Sequence, residues 1–312
     1  MKGPLFYSKI LLFGEYGIIK DSKGLSIPYN FYNGALKLDE NLGEEAKKSN
    51  ENLRKFAAYL EALGENNPDL VQFDLKSIRE DIANGMYFDS SIPQGYGVGS
   101  SGALVAAIYD KYAEDKITVL ENLTRDKLLK LKKIFGEMES FFHGKSSGLD
   151  PLNSYLSIPI LINSKENIEP AGIPSQTENG TGAVFLLDSG ITGDTAPMVS
   201  IFMENMKQEP FRKMLKDQFV KQTDACVDDF LKGDVKSLFS NVKKLSYTVL
   251  DNFKPMIPAK FHTLWKKGIE TNDYYLKLCG SGGGGYILGF TEDIDKARKA
   301  LKDYNLEVVY NF

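Results

Sequence analysis

Residues 92–106 read IPQGYGVGSSGALVA, so a run of glycines and serines leads directly into an apolar stretch. Its glycines and serines are Gly95, Gly97, Gly99 and Gly102, with Ser100 and Ser101. Glycines let backbone N–H groups approach an anion without obstruction by a side chain. The apolar stretch predicts a helix, whose N-terminus adds unpaired N–H donors and a partial positive charge. With two hydroxyls that can bind a phosphate oxygen or a magnesium ion, the segment predicts a polyphosphate cradle.

Two other interpretations of this segment stay open at the level of sequence. It could be a flexible turn in which Ser100 or Ser101 caps the following helix. Residues 97–102 also match the GxGxxG pattern of dinucleotide-binding folds. That pattern belongs between a buried strand and a helix, whereas Pro93 interrupts the residues that come before it here.

The clearest predicted helix covers residues 125–142, where apolar residues recur every three or four positions. These residues are Leu128, Leu131, Phe135, Met138 and Phe142. Glu139 falls on the same stripe, whereas Glu137 points nearly opposite. An inward carboxylate is costly unless it is paired, hydrogen-bonded or bound to a metal. We therefore expect Glu139 either to pair with a lysine or arginine or to ligate a metal ion.

Asp150 lies in a segment rich in glycine and serine, HGKSSGLDPLNS at residues 143–154. Such a turn can present a carboxylate that deprotonates or positions a hydroxyl. Asp followed by Pro is also typical of a helix N-cap and its first residue, and the residues alone favour the cap. The chain has two histidines, His143 and His262, and we predict a structural role for both.

A second glycine cluster, CGSGGGGYILGF at residues 279–290, comes directly before a strand-like run. It could be a flexible linker, but linkers seldom adjoin an apolar strand within a folded region. The pattern favours a close approach of the backbone to a ligand or to another loop.

The composition limits the classes of function. Of the 312 residues, 42% are hydrophobic and 26% are charged, which excludes disorder and collagen-like repeats. The net charge of -4 gives no general attraction to nucleic acid or to an anionic membrane. Two cysteines are too few for a disulfide framework. We expect a cytoplasmic protein without a signal peptide, a membrane span or a nucleic-acid partner, and a homodimer is one candidate assembly.

Helix-like and strand-like patterns mix along the chain, so the fold class is α+β or α/β. Helices are predicted near residues 40–63, from 103 onward, and at 125–142, 205–232, 234–251, 259–272 and 292–302. Strands are predicted within residues 5–20 and at 71–78, 155–162, 183–188, 286–290 and 306–312. A change of composition over residues 163–182 predicts two domains, residues 1–182 and 183–312.

Four segments, taken in order, resemble motifs of the GHMP kinase superfamily, which includes galactokinases, homoserine kinases, mevalonate kinases and phosphomevalonate kinases. SKILLFGEYGII (residues 8–19) resembles the motif GKxxLxGEH, and IPQGYGVGSSGALVA resembles PxGxGLGSSAA. EMESFFHGKSSGLDPLNS (137–154) resembles ExxxHGxPSGxDNxxS, and KLCGSGGGGYIL (277–288) resembles KLTGAGGGGC. Within the superfamily, the mevalonate kinases are the most similar.

The resemblance implies a two-domain α+β fold, with an N-terminal ribosomal-S5-like domain that binds ATP and a C-terminal ferredoxin-like domain. It also implies a kinase that uses ATP and Mg²⁺ to phosphorylate a small hydroxylated substrate. The first candidate is mevalonate, which would give 5-phosphomevalonate for isoprenoid biosynthesis. Phosphoryl transfer depends mainly on positioning and charge neutralisation, which the residue types of these motifs can supply.

Roles for individual residues follow from the same resemblance. Asp150 is implied as the catalytic carboxylate and Lys9 as its charge-neutralising partner, while Ser101 and Glu139 are implied as magnesium ligands. ATP contacts are implied for Gly95, Gly97, Gly99, Ser100, Ser101, Gly102, Gly282 and Gly283, and acceptor contacts for Glu15, Tyr16 and Ser147.

The chain departs from the motifs at several positions. The departures are Tyr16 for His, Lys145-Ser146 for x-Pro, Pro151 for Asn and Cys279 for Thr. Tyr16 and Cys279 leave the acceptor open among mevalonate, phosphomevalonate and a sugar. Two alternatives come from other classes of function: a nucleotide-binding relative without catalytic activity, and a dinucleotide-dependent oxidoreductase.

Overall fold

The computed structural model describes residues 4–118, 123–164, 166–178 and 180–312, which form two compact units. The first unit contains the chain up to Lys9, Pro28–Pro93 and Gly99–Ile158, and the second contains Ile10–Ile27, Gln94–Val98 and Pro159–Phe312. Among the helices described, none is long and apolar enough to cross a membrane. The predicted domain division at residues 182 and 183 stays a prediction.

Helices and strands mix along the described chain, which confirms the predicted α+β class. The helices are α1 (Glu44–Asn66), α2 (Leu75–Ala83), α3 (Ser100–Tyr112), α4 (Arg125–His143), α5 (Leu149–Leu156), α6 (Thr195–Asn205), α7 (Glu209–Met214), α8 (Lys221–Lys232), α9 (Val235–Asn252), α10 (His262–Thr271) and α11 (Ile294–Ala300). The strands are β1 (Phe6–Phe13), β2 (Gly24–Leu38), β3 (Met86–Ser90), β4 (Ile160–Ser164), β5 (Asn167–Pro170), β6 (Ala183–Asp188), β7 (Tyr275–Leu278), β8 (Tyr286–Thr291) and β9 (Leu306–Asn311).

In the first unit, α3 packs against α4 and α5. Helix α3 is apolar on almost every side, and such a helix is stable only when neighbours cover it. Val105, Ala106 and Ile108 of α3 are at most 1% exposed. The apolar stripe predicted on α4 is buried from Leu128 to Met138. Each fully buried leucine or phenylalanine contributes roughly 1.5–3 kcal/mol to folding, so these contacts fix the positions of all three helices.

One sheet has the strand order β1-β2-β4-β5, with β3 also paired to β2. Strand β3 pairs antiparallel with the last part of β2, from Gly34 opposite Ser90 to Leu38 opposite Met86. Strand β4 pairs antiparallel with both the first part of β2 and β5. The long strand β2 therefore pairs with β1, with β4 along its first part and with β3 along its last part.

The second unit contains a four-stranded antiparallel sheet in the order β7-β8-β6-β9. All residues of β8 and nearly all of β6 are buried, as expected for strands covered on both faces. Helices α9 and α10 pack against this sheet. Trp265 of α10 is fully buried, and its indole N–H donates to the Ser246 carbonyl of α9 at 3.0 Å.

The strand predicted at residues 71–78 is wrong, because α2 begins there at Leu75. The Asp74 side chain caps this helix by accepting from the Ser77 backbone N–H at 3.0 Å. The apolar residues Ile78 and Ile82 follow at helical spacing and are buried. The cap and this spacing outweigh the loose alternation that suggested a strand.

Two further boundaries differ from the prediction. The strand expected at residues 155–162 is shorter, because α5 extends to Leu156 and β4 begins at Ile160. The helix expected over residues 205–232 is divided into α7, a π-helical segment at Leu215–Val220 and α8. Strand β2 is absent from the predicted strands, because its many polar and glycine positions interrupt the alternation of apolar residues.

Candidate functional site

Asp150 and Lys9 form an ion pair in the first unit. Lys9 lies on β1 and is 4% exposed, and its Nζ lies 2.9 Å from Asp150 Oδ1. Asp150 lies in the first turn of α5, whose N-cap is Gly148 in the left-handed conformation. The N-cap role that the residues alone favoured for Asp150 is therefore wrong. The Asp150 side chain is 39% exposed, so the carboxylate is both charge-paired and accessible.

Glu139 faces inward on α4, as its spacing predicted, and is 4% exposed. Ser101 Oγ donates to Glu139 Oε1 at 2.8 Å, and the Ser146 hydroxyl donates to Glu139 Oε2. Burial, followed by the negative charge of Asp150, raises the pKa of Glu139 from 4.5 to about 7. The two serine hydrogen bonds and the charge of Lys9 oppose this shift. Burial therefore shifts the pKa of this carboxyl group toward the protonated form.

His143 lies in the same group of residues, although only a structural role is predicted for it from the sequence. Its Nε2 lies 3.0 Å from Ser101 Oγ. His143 follows Glu139 by four positions on α4, and residues at that spacing share a helix face. This spacing is the signal by which the sequence could have indicated His143. We call the set Lys9, Ser101, Glu139, His143, Ser146 and Asp150 the carboxylate cluster.

The second half of the first glycine segment also belongs to the first unit. Helix α3 begins at Ser100, its N-cap is Gly99, and no side-chain hydrogen bond caps it. The predicted cap by Ser100 or Ser101 is therefore not formed. A Cβ at Gly102 would lie 2.8 Å from the Asp150 carbonyl carbon, so glycine allows α3 and the start of α5 to approach closely.

The first half of the segment lies in the second unit, where it packs against the second glycine cluster. We call residues 94–98 and 280–285 the glycine-loop pair. A Cβ at Gly97, whose φ is +78°, would lie 2.6 Å from the Cys279 carbonyl oxygen. The Tyr286 N–H donates to the Tyr96 carbonyl at 3.3 Å. These contacts exclude a flexible linker and confirm the close backbone approach predicted for this cluster.

Gly95, Gly282 and Gly283 belong to the glycine-loop pair, whose backbone is hydrogen-bonded to neighbouring segments of the second unit. The Gly95 carbonyl accepts from the Gly193 N–H at 2.8 Å, and the Gly283 N–H donates to the Met256 carbonyl at 2.6 Å. The backbone of this loop is therefore held by the surrounding main chain. The assignment of these glycines to ATP contacts stays a prediction.

Glu15 and Tyr16 lie in the second unit, where Glu15 contacts Lys277, just before the second glycine cluster, and Tyr16 contacts Ser281 within it. Glu15 Oε1 lies 2.5 Å from Lys277 Nζ, and both side chains are at most 6% exposed. The Tyr16 hydroxyl donates to the Ser281 carbonyl at 2.7 Å, and its ring stacks on Phe202. Burial, with a smaller contribution from Glu15, raises the pKa of Tyr16. Lys277 carries no local signal of its buried ion pair, because an isolated lysine in a strand normally indicates an exposed position.

Ser147, which the resemblance implied as an acceptor contact, is exposed. Its Oγ accepts from the Leu149 N–H at 3.4 Å. This weak bond lies in the turn that leads to Asp150, and the acceptor role of Ser147 stays a prediction.

The dinucleotide interpretation of residues 97–102 does not agree with the strand arrangement. The strand that comes before this segment is β3, which pairs antiparallel with β2. The GxGxxG pattern of dinucleotide-binding folds requires a parallel βαβ unit. Residues 97–102 therefore match the pattern in sequence, but the strands around them do not have the arrangement that the pattern requires.

Comparisons with known proteins give a family domain and a fold. Residues 54–157 match the family model described as GHMP kinases N terminal domain. The chain is similar to L. major mevalonate kinase in complex with R-mevalonate, with 16% identity, TM-score 0.65 and coverage of 100% of this chain and 99% of that one. No curated protein sequence matches it.

Two further solved structures share the fold at low identity. Streptococcus pneumoniae phosphomevalonate kinase, in complex with phosphomevalonate and AMPPNP, has 13% identity and TM-score 0.62, with 98% of this chain and 99% of that chain covered. Lactococcus lactis galactokinase complexed with galactose has 13% identity and TM-score 0.65, with 98% and 92% covered. These structures confirm the predicted fold, and the family model confirms the resemblance to GHMP kinases over residues 54–157.

Proposed function

We propose that this chain, whose residues 54–157 form a GHMP kinase N-terminal domain, transfers the γ-phosphoryl group of ATP to a hydroxyl group of a small molecule. The Lys9–Asp150 ion pair carries this proposal. It sets an accessible carboxylate beside a buried, fixed positive charge, which is the combination that hydroxyl activation and phosphate neutralisation require.

Asp150 is proposed as the residue that orients the acceptor hydroxyl and accepts its proton. The carboxylate that pairs with Lys9 has oxygen atoms that can accept a hydrogen bond. Lys9 offsets the negative charge of the transferring phosphoryl group. A fixed charge of this kind stabilises a transition state without having to reorganise.

The oxygen atoms of Ser101 and Glu139 fit Mg²⁺. Among the residues that the structure describes, no group of three or more His, Cys, Asp and Glu could hold a metal. Mg²⁺ needs no such group, because it takes hard oxygen ligands and is usually held by one or two protein groups together with phosphates. Bound Mg²⁺ would supply neutralisation of phosphate charge, and Ser101 and Glu139 are the residues that would hold it.

ATP is proposed as the phosphoryl donor, bound through the glycine segments. Gly99 is the N-cap of α3, and Ser100, Ser101 and Gly102 begin it. The first N–H groups of a helix lack partners within the helix and attract anions. The phosphomevalonate kinase neighbour carries AMPPNP, an ATP analogue, which supports the same donor here. ATP contacts are proposed for the glycine-loop pair on the same grounds.

Mevalonate is our first candidate acceptor, with 5-phosphomevalonate as the product in isoprenoid biosynthesis. The motif at residues 137–154 supports it, because it most resembles that of mevalonate kinases. The TM-scores for mevalonate kinase and galactokinase are both 0.65, so the fold does not discriminate between these acceptors. Tyr16 and Cys279 are the departures by which the acceptor could differ.

A panel of acceptors tests the proposal. We would measure ADP release from Mg-ATP with mevalonate, phosphomevalonate, galactose and homoserine, and identify the product by ³¹P NMR. The expected result is strong turnover with mevalonate alone. Turnover with another acceptor would retain the reaction class and change the substrate. Binding of AMPPNP without turnover on any of the four would contradict the proposed activity and favour a non-catalytic nucleotide-binding protein.

A further inference from the structure

The carboxylate cluster contains more hydrogen-bonded residues than the proposed reaction uses. Ser101 Oγ lies 2.8 Å from Glu139 Oε1 and 3.0 Å from His143 Nε2. The other carboxylate oxygen, Glu139 Oε2, accepts from the Ser146 hydroxyl. The four side chains therefore form one continuous row, Ser146–Glu139–Ser101–His143, in which the two proposed magnesium ligands are the inner members.

Ser146 is itself held in place by the turn before α5. Its Oγ accepts from the Gly148 N–H at 3.1 Å, and its own N–H donates to Ser140 Oγ at 3.3 Å. The Ser146 hydroxyl proton is therefore directed to Glu139. Ser146 stands where the resembled motif has proline, a residue that has no hydroxyl, so this contact is a feature of this chain.

We propose, on the basis of the function proposed above, that Ser146 and His143 are positioning residues for the magnesium site. Ser146 fixes the Glu139 carboxylate, and His143 fixes the Ser101 hydroxyl. Partners of metal ligands commonly act in this way, and their loss typically lowers metal affinity by about 10- to 100-fold.

The role of His143 follows from the single proton of the Ser101 hydroxyl. A serine hydroxyl has one proton and two lone pairs. If Ser101 and Glu139 both direct lone pairs at one cation, the Ser101 proton cannot remain between them. The His143 Nε2 at 3.0 Å can accept a hydrogen bond from the Ser101 hydroxyl, which keeps its proton, provided that the neutral imidazole carries its own proton on Nδ1. The inference therefore specifies both a contact and a tautomer.

Paired substitutions at each end of the row test the contacts. The quantity measured is the Mg²⁺ concentration that half-saturates binding of the non-hydrolysable AMPPNP. We expect a rise of roughly 10- to 100-fold for His143→Leu and a smaller rise for Ser146→Ala. His143→Gln and Ser146→Thr keep an acceptor and a hydroxyl, respectively, and should restore most of the affinity. His262→Gln alters the other histidine, which lies in the second unit, and should leave the affinity unchanged.

The tautomer provides an independent readout. With two histidines in the chain, ¹⁵N spectra of His-labelled protein can be assigned by comparison with His262→Gln. In the complex with Mg²⁺ and AMPPNP, we expect His143 Nε2 of the wild-type protein to be unprotonated. In Ser101→Ala, its ¹⁵N chemical shift should move to the value of a nitrogen that accepts no hydrogen bond. Protonated Nε2 in that complex, or half-saturation within twofold of wild type in a folded His143→Leu protein, would overturn the inference.

These measurements separate the inference from the proposed function. A wild-type protein that phosphorylates an acceptor but shows normal Mg²⁺ dependence in His143→Leu and Ser146→Ala refutes the positioning roles alone. A wild-type protein that binds AMPPNP without any dependence on Mg²⁺ refutes the magnesium site, and with it the inference. Losses of affinity in both variants, with rescue by the conservative ones, support the inference even if the acceptor is not mevalonate.

Discussion

The carboxylate cluster and the glycine-loop pair are built in opposite ways. In the cluster, the chemistry lies in side chains: an ion pair of 2.9 Å between Lys9 and Asp150, and a buried Glu139 held by hydroxyl groups. In the glycine-loop pair, the important feature is the missing side chain, because a Cβ at Gly97 would lie 2.6 Å from a carbonyl oxygen. The first region depends on charge, and the second depends on the path of the backbone.

The difference predicts two kinds of failure. Removal of a charge from the cluster should impair the reaction while leaving a folded protein. Addition of a methyl group to the glycine-loop pair should destabilise the second unit, and any loss of activity should follow from that. The substitutions below test this contrast, from the largest expected effect to the smallest.

Among the substitutions that test this contrast, Lys9→Met should give the largest effect. It removes the positive charge beside Asp150 but keeps an unbranched side chain in the same buried space. We expect kcat to fall by about 10²- to 10³-fold, as for other fixed groups that stabilise transition-state charge. Steady-state kinetics with Mg-ATP would measure it. Lys145→Met, an exposed lysine in the same unit, is the control, and an equal loss in both variants would contradict the assignment.

Gly97→Ala should destabilise the protein without a comparable direct effect on the chemistry. The added Cβ meets the Cys279 carbonyl, and the backbone φ of +78° is unfavourable for alanine. We expect the free energy of unfolding to fall by about 2–4 kcal/mol, measured by urea denaturation. Gly172→Ala, where a Cβ meets nothing within 4 Å, should change it by less than about 1 kcal/mol. Equal stability of the two variants would refute the close approach.

Glu139→Gln should change the dependence of stability on pH. Because the pKa of Glu139 is raised from 4.5 to about 7, the folded protein retains a proton that the unfolded chain has lost between these values. The free energy of unfolding therefore falls as pH rises through this window. In metal-free protein, Glu139→Gln should remove this fall, a gain on the order of 1–3 kcal/mol at pH 8.

Urea denaturation at pH 5 and pH 8 would check this pH effect. Glu137→Gln, on the exposed face of the same helix, is the matched control and should follow the wild type. A wild-type slope that persists in Glu139→Gln would show that another group causes it.

Tyr16→Phe should have the smallest effect. It removes the hydrogen bond to the Ser281 carbonyl but keeps the ring that stacks on Phe202. We expect a loss of about 1 kcal/mol in the free energy of unfolding. The KM of the acceptor, measured on the same protein, tests the predicted substrate contact of Tyr16. Unchanged stability would show that the hydrogen bond contributes nothing to holding the second glycine cluster.

The sequence allowed the direction of Glu139 to be predicted, because helical periodicity is a local property of α4. It did not allow a choice between an ion pair and a metal for that carboxylate. The hydroxyl partners explain why: Ser101 and Ser146 reach Glu139 from α3 and from the turn before α5, and no local pattern encodes such contacts.

Residues 71–78 show where local patterns mislead. Their loose alternation suggested a strand, but the Asp74 cap and two buried isoleucines determine a helix. At Lys277, by contrast, no local pattern exists, since the burial of a lysine is predictable only when its partner is known. Glu15, which pairs with it, lies 262 positions away along the chain. Periodicity could thus predict elements, whereas the pairing of distant charges depended on the tertiary fold.

The central claim is that Asp150 serves the transfer of a phosphoryl group from ATP to a hydroxyl. The most direct measurement is a single-turnover experiment with Asp150→Asn and wild-type protein, each mixed with Mg-ATP and mevalonate and followed by ³¹P NMR. We expect wild-type protein to form a phosphomonoester within one turnover and Asp150→Asn to bind AMPPNP but form it about 10²- to 10⁴-fold more slowly. Phosphomonoester formation at the wild-type rate in Asp150→Asn would contradict the claim.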